Sequence, residues 1–164
     1  MTAVKLNNYA QWQANSMYSS SFAGSRTHKV LRAVKGWFSR KDQLLTNYRA
    51  YIEQFHICSK KSAGLQMVQI ANINGSLSRA DEFTADFRPV AHHTRERWLA
   101  IARIHVKGGA LPPVELYEID GQYFVVDGHH RISVAKAAGQ LEMEAVVTRI
   151  NVSSREAVLQ PAFA

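Results

Sequence analysis

Residues 114–139 constrain the fold of this chain more than any other stretch. Val114 to Ile119 and Gln122 to Val126 are apolar-rich runs joined by Asp120-Gly121, a dipeptide suited to a two-residue hairpin turn. Asp127-Gly128-His129-His130-Arg131 follows at once, and residues 131–138 continue as a short helix that Gly139 is placed to end. A hairpin that feeds a helix commits this part of the chain to packed α and β layers. It also sets a helix N-terminus against a strand end, with Asp127 as the candidate N-cap and Gly128 easing the turn. Such a terminus offers unpaired N–H groups and partial positive charge, which suit an anion.

The side chains at that junction match the same chemistry. Arg131 can hold a phosphate through two parallel hydrogen bonds, and His129 and His130 can donate to phosphate or exchange a proton near neutral pH. Successive helical residues point about 100° apart, so the two histidines have different tasks. Asp127, Gly128, His129, His130 and Arg131 form the candidate phosphate or nucleotide site. Ser76 and Arg79, from the loop after an earlier strand, are placed to join it. Glu96, close to His92-His93, is a candidate general base or a carboxylate that holds Mg²⁺ through phosphate oxygens; the candidate catalytic residues are thus His129, His130 and Glu96. The sequence contains no His-Glu-x-x-His, Cys-x-x-Cys, Walker A, Gly-x-Gly-x-x-Gly or serine nucleophile-elbow pattern, and no protein-held metal site is expected.

Around this core the pattern reads β-α-β-β-α-β. Residues 65–73 alternate as a strand that Asn74-Gly75-Ser76 ends, and a polar loop runs from Leu77 to Pro89. Thr94 is placed to cap a helix carrying Trp98, Ile101, Ala102 and His105 on one face, with Arg97 where a capping box has Glu. Gly108-Gly109 and Pro112-Pro113 stop it, and residues 142–150 supply the last strand. Residues 1–25 are polar with little periodicity and read as a mobile arm tethered by Trp12 and Phe22. Residues 28–38 read as a basic amphipathic helix. A second helix is expected from its N-cap Asp42 to Phe55, with Leu44, Leu45, Tyr48, Tyr51, Ile52 and Phe55 on one side. The organisation predicted is a basic helical extension over 1–64, a domain over 65–152 and a tail over 153–164.

At 164 residues and 46% hydrophobic, the chain can bury a core of its own. One cysteine, Cys58, rules out a disulfide framework, and no stretch reads as a signal peptide or membrane span, which points to the cytoplasm. Charge is uneven. Residues 1–64 hold ten Lys or Arg against two acids, a net +8; residues 65–164 hold ten against eleven, a net −1. The asymmetry suggests a polyanion contact, DNA before membrane, through Lys29, Arg32, Lys35, Arg40 and Lys41.

The stretch Leu111–Gly139 resembles the core of the ParB/sulfiredoxin superfamily. The likeness extends back to about Leu65, through Asn74-Gly75-Ser76 and Arg95-Glu96-Arg97-Trp98, and forward to Ile150. It implies an α+β fold, a small mixed sheet with packed helices, preceded here by a helical N-terminal extension. It also implies binding of a nucleotide (ATP, ADP or CTP, with Mg²⁺ as an accompanying ion), its phosphates on residues 127–131. Partition ParB proteins bind CTP through a Gly-Glu-Arg-Arg element and carry a helix-turn-helix domain; here Gly128-His129-His130-Arg131 stands instead, and the sequence leaves no room for that domain. Sulfiredoxins use the cysteine of Gly-Cys-His-Arg, where this chain has His129. The Asp-Gly-His-His-Arg form is more similar to free serine kinases of the superfamily and to ParB-like nucleases. The expectation is a nucleotide-binding, DNA-associated protein with nucleotide or phosphodiester hydrolysis. The alternatives are a small-molecule kinase, whose carboxylate would be Glu96, and a partner-binding module with an inactive site.

Overall fold

The computed structural model describes residues 3–22, 44–90 and 92–154. Helix α1 (Ala3–Ser21) comes first. Strand β1 (Thr46–Asn47), helix α2 (Tyr48–Ile52), strand β2 (Phe55–Gln69), strand β3 (Ile73–Ser76) and helix α3 (Arg95–Val106) follow. Strands β4 (Val114–Ile119) and β5 (Gln122–Asp127), helix α4 (His129–Ala137) and strand β6 (Glu142–Ser154) complete the described chain. The strands form one six-stranded sheet in the order β1-β3-β5-β4-β6-β2. Pairs β1·β3, β3·β5 and β4·β6 are parallel, while β4·β5 and β2·β6 are antiparallel. The α+β mixed sheet with packed helices and a helical N-terminal piece is therefore the architecture that the resemblance implies.

The β4–β5 hairpin forms where Asp120-Gly121 places it. Both turn residues have positive φ, 48° and 77°, as a two-residue turn of the favoured hand requires. Alternation then sends side chains to both faces of the sheet. On one face Val114, Leu116, Val125, Ala145, Val147 and Val68 meet Ile132 and Ala135 of α4. On the other, Ile119, Phe124 and Ile150 pack with Tyr48 of α2, and Tyr51 and Ile52 close over them. Gly75 lets β1, β3 and the Phe124 ring approach: a Cβ there would overlap the Phe124 ring and stand 2.7 Å from the Thr46 carbonyl oxygen.

Residues 3–21 are helical, where a mobile arm was expected. Their buried positions, Ala10, Ala14 and Tyr18, with Phe22 just beyond, recur every fourth residue in a background of Asn, Gln and Ser. That stripe is one residue wide per turn, too narrow to stand out as amphipathic. It is held from outside, by Trp98, Leu99 and Ala102 of α3 and Val134 of α4. Phe22 is buried as a tether; Trp12 is 65% exposed and is not one.

The helix expected over 42–55 is confined, among the described residues, to Tyr48–Ile52. Asn47 starts it, its Oδ1 accepting the N–H of Arg49 at 2.9 Å, while Thr46 and Asn47 are held as strand by Gly75 and Ser76. Leu44 is exposed and Phe55 opens β2. The strand expected over 65–73 is the end of β2, a 3₁₀ turn at Ile70–Asn72 and the start of β3. β2 runs across the 64/65 boundary expected from composition, and β6 reaches Ser154. Residues 55–64 hid their strand character because β2 is the sheet edge and its pairing shifts at 57/59 and 62/64, which breaks the period of two. The basic helix of 28–38, the cap Asp42 and the tail from 155 lie outside the described residues.

Candidate functional site

Parallel pairing of β3 with β5 sets Ser76 opposite Val125 and brings the loop after β3 beside the start of α4. The Leu77 N–H donates to the Val125 carbonyl at 2.9 Å and fixes that loop. Ligands of open α/β sheets commonly settle at the carboxyl ends of such strands. The N-cap of α4 is Gly128, not Asp127 as expected. Its φ of +104° takes the chain sharply from strand to helix, and a Cβ would stand 2.5 Å from Val114 Cγ1. Asp127 instead ends β5 and pairs with Arg131.

Both histidines of α4 are buried, His129 at 4% and His130 at 5% exposure. His129 Nε2 lies 2.7 Å from Ser76 Oγ, which also accepts the N–H groups of Ser78 and Arg79. Phe83, from the loop after β3, stacks on His129 at 5.9 Å between centroids and meets His130 edge-on at 5.2 Å. Neither ring nitrogen of His130 has a hydrogen-bond partner. Burial pushes the pKa of His129 down to about 4, helped by the charges of Arg79 and His130 and opposed by Asp127. His130 is likewise pushed to about 4, by burial first and then by Arg97, Arg79 and His93. Both rings are therefore neutral at pH 7, each with one N–H and one acceptor nitrogen.

A pocket of about 30 Å³ is lined by Arg79, Arg97, Ile101 and residues 127–131. A water needs about 10–15 Å³ measured this way, so the space admits one or two oxygen atoms, the tip of an anion. The helix N-terminus, the guanidinium groups of Arg79 and Arg97 and two neutral imidazoles surround that tip with donors and positive charge.

The expected residues divide. His129, His130, Gly128, Asp127, Arg131 and Arg79 meet at the pocket. Ser76 stands behind it, against His129. The Arg131 side chain is 12% exposed; one guanidinium nitrogen donates to the carbonyls of Pro112 (2.8 Å) and Pro113 (2.7 Å), and the other faces Asp127. It ties the approach to β4 onto α4. Arg79 carries an ion pair with Glu82 at 3.1 Å. Glu96 is 78% exposed, pairs with Arg95 and does not line the pocket. The candidate nucleic-acid residues Lys29, Arg32, Lys35, Arg40 and Lys41 lie outside the described residues. Arg97 and Phe83 were missed. For Arg97 the signal was its place in the first turn of α3, where a capping Glu would stand; Phe83 gave none. Among the described residues no three His, Cys, Asp or Glu side chains gather as a metal site, and no helix is long and apolar enough to cross a membrane.

No family model matches this chain, and no curated protein matches it. Among solved structures, the crystal structure of sulfiredoxin from Arabidopsis thaliana is similar over 57% of this chain and 91% of that chain, with 16% identity and a TM-score of 0.38.

Proposed function

We propose that the pocket at the start of α4 binds the terminal phosphate of a nucleotide. The observation that carries this reading is His130: a buried side chain with two unpartnered nitrogens, set under Arg79 and Arg97 at a helix N-terminus. Burying an imidazole without partners costs free energy, and a phosphate oxygen would supply the missing acceptor. The pocket takes only the phosphate tip, so the nucleoside must lie outside it. A second cavity of about 260 Å³ shares the Arg131 wall. Its sides include Met67, Leu111 and Pro113, suited to a base, and Glu142 and Glu144, suited to exocyclic amino groups. Any Mg²⁺ would be carried on the phosphate oxygens, since no described carboxylate cluster is built to hold it.

Calorimetric titration with ATP, ADP, CTP and inorganic phosphate, with and without Mg²⁺, tests the reading. Binding by the wild type and its loss in Arg97→Gln and His130→Phe are expected; no binding of any of these at millimolar ligand overturns it. Phosphate release, nuclease cleavage and transfer to small hydroxyl acceptors, measured on the same samples, decide whether binding leads to turnover. A hydrolase or kinase requires one of them, and a binding module none.

A second reading, DNA association, is favoured by the net +8 of residues 1–64. Exchange of Lys29, Arg32, Lys35, Arg40 and Lys41 for Gln is expected to weaken binding and flatten its salt dependence. Equal affinity of the two proteins, or none at low salt, removes it. Substitution is the proper test because deleting the first 40 residues would strip α1 from Trp98.

A further inference from the structure

The Ser76 hydroxyl oxygen has three hydrogen-bond partners. It accepts the backbone N–H groups of Ser78 at 3.2 Å and Arg79 at 2.8 Å, and it lies 2.7 Å from Nε2 of His129. A hydroxyl offers two lone pairs and one proton. Backbone donors take both lone pairs. Ser76 is completely buried, so its proton has no water to reach and goes to His129. Nε2 is then the acceptor. A neutral imidazole has a single N–H, and it must sit on Nδ1.

We propose that Ser76 is a tautomer lock: it holds His129 as the Nδ1–H imidazole, which makes His129 a fixed hydrogen-bond donor to a bound oxyanion. The ring cannot easily turn to present its other edge. Phe83 stacks on it with 21° between the planes, and Ser76 is itself pinned by the pairing of β3 with β5. The Nδ1 atom is not among the buried unpartnered polar atoms, which for the described residues are Tyr18 Oη and the two nitrogens of His130. With Nε2 turned to Ser76, Nδ1 is the nitrogen left to a ligand, and His129 is one of the residues that line the pocket.

Two other roles are thereby displaced. Ser76 has no bonding capacity left for a phosphate, and at 0% exposure its Oγ is beyond the reach of any electrophile, although a serine 2.7 Å from a histidine resembles an activated nucleophile. His129 meets the pocket with a proton already in place, so it does not abstract one there. Beside the Asp127 carboxylate, which Arg131 engages, the pocket presents donors: His129 Nδ1–H, one N–H of His130, Arg79, Arg97 and the first amides of α4. Such a site recognises a ligand tip that only accepts, as the oxygens of an ionised phosphate do.

The donor role rests on the phosphate-site reading; the tautomer does not, and the test separates them. Long-range ¹H–¹⁵N correlation of the imidazole rings in the ligand-free protein at neutral pH is expected to show a pyrrole-type Nδ1 and a pyridine-type Nε2 for His129. In Ser76→Ala the pattern shifts toward Nε2–H, and Ser76→Thr, which keeps the hydroxyl, restores it. A pyrrole-type Nε2 in the wild type, or an unchanged tautomer in folded Ser76→Ala, overturns the lock. If neither Ser76 variant folds, the wild-type spectrum still decides. Titration with inorganic phosphate supplies the second arm. His129→Asn keeps an N–H near the Nδ1 position and His129→Gln keeps one near Nε2, so the Gln variant is expected to bind about tenfold or more weakly than the Asn variant. The reverse order overturns the donor role. No phosphate binding by the wild type overturns the phosphate site and the donor role together, while the spectrum still judges the tautomer.

Discussion

Lowering the pH from 7.5 to 5 sets the two buried histidines of α4 against the fold. Each has a pKa near 4 in the folded protein, against an ordinary value of 6.5. Above pH 6.5 both states are neutral and the rings contribute nothing to the pH dependence. Between 6.5 and about 4 the unfolded chain takes up a proton that the folded one refuses, so stability falls as pH falls. Below about 4 the loss is complete. Each full pH unit inside that window costs about 1.36 kcal/mol per ring. From 6.5 to 5 this is about 2 kcal/mol per histidine and about 4 for the pair, a large share of the roughly 5–15 kcal/mol that holds a domain together. Urea unfolding at the two pH values measures it, with His130→Phe as the control. Phenylalanine keeps an aromatic ring against Phe83, 5.2 Å away in the wild type, and cannot titrate. Its loss of stability on acidification is expected to be smaller by about 2 kcal/mol, one ring's share. If variant and wild type lose the same amount, or the wild type loses none, the account of these two rings is wrong.

Other perturbations have definite outcomes. At pH 7.5 His130→Phe removes two unpartnered buried nitrogens and is expected to raise stability by about 1–3 kcal/mol while weakening phosphate binding; thermal unfolding and calorimetry check the two halves separately. Gly128→Ala puts a Cβ 2.5 Å from Val114 Cγ1 at a φ of +104°, which should cost about 2 kcal/mol or more in chemical denaturation. Arg131→Met leaves the Pro112 and Pro113 carbonyls without their donor, so a loss of about 2–3 kcal/mol of stability is expected in urea unfolding. Ser133→Ala deprives the buried Trp98 Nε1–H of its acceptor at 2.8 Å, a loss of about 1–3 kcal/mol visible by tryptophan fluorescence during unfolding.

The parts of the fold that sequence reveals are those determined locally. Asp120-Gly121 needs only its own backbone to make the β4–β5 turn, and the face of Trp98, Ile101, Ala102 and His105 needs only helical spacing to mark α3. α1 was hidden because its stripe of Ala10, Ala14, Tyr18 and Phe22 acquires meaning only against Trp98, some eighty residues on. β2 was hidden because an edge strand with bulges need not alternate. The site divides in the same way. The junction at 127–131 is a continuous segment and could be found; whether His129 faces Ser76 depends on parallel pairing between strands that are not neighbours in sequence. The different fates of the two adjacent histidines, one bonded and one without partners, follow the roughly 100° between them. Arg131 illustrates the limit: its type suits phosphate, but the Pro112 and Pro113 carbonyls engage it first.

The position of β6 between β4 and β2 has a kinetic consequence. β2 can join the sheet only through β6, and the two are far apart in sequence: Gln69 pairs with Glu142, 73 residues later, and Phe55 with Ser154. The hairpin and α4 can form as soon as their residues are available, but the outer third of the sheet must wait for the last described strand. Long-range closure of this kind slows folding, because chain entropy is lost before the contacts that repay it exist. During that wait β2 has no partner, and Leu65 and Met67, which remain 60% exposed even in the finished fold, stand open along its length. The interval before β6 arrives is therefore when this chain is most prone to associate with copies of itself, and Lys60 and Lys61, in the same strand, are placed to discourage it.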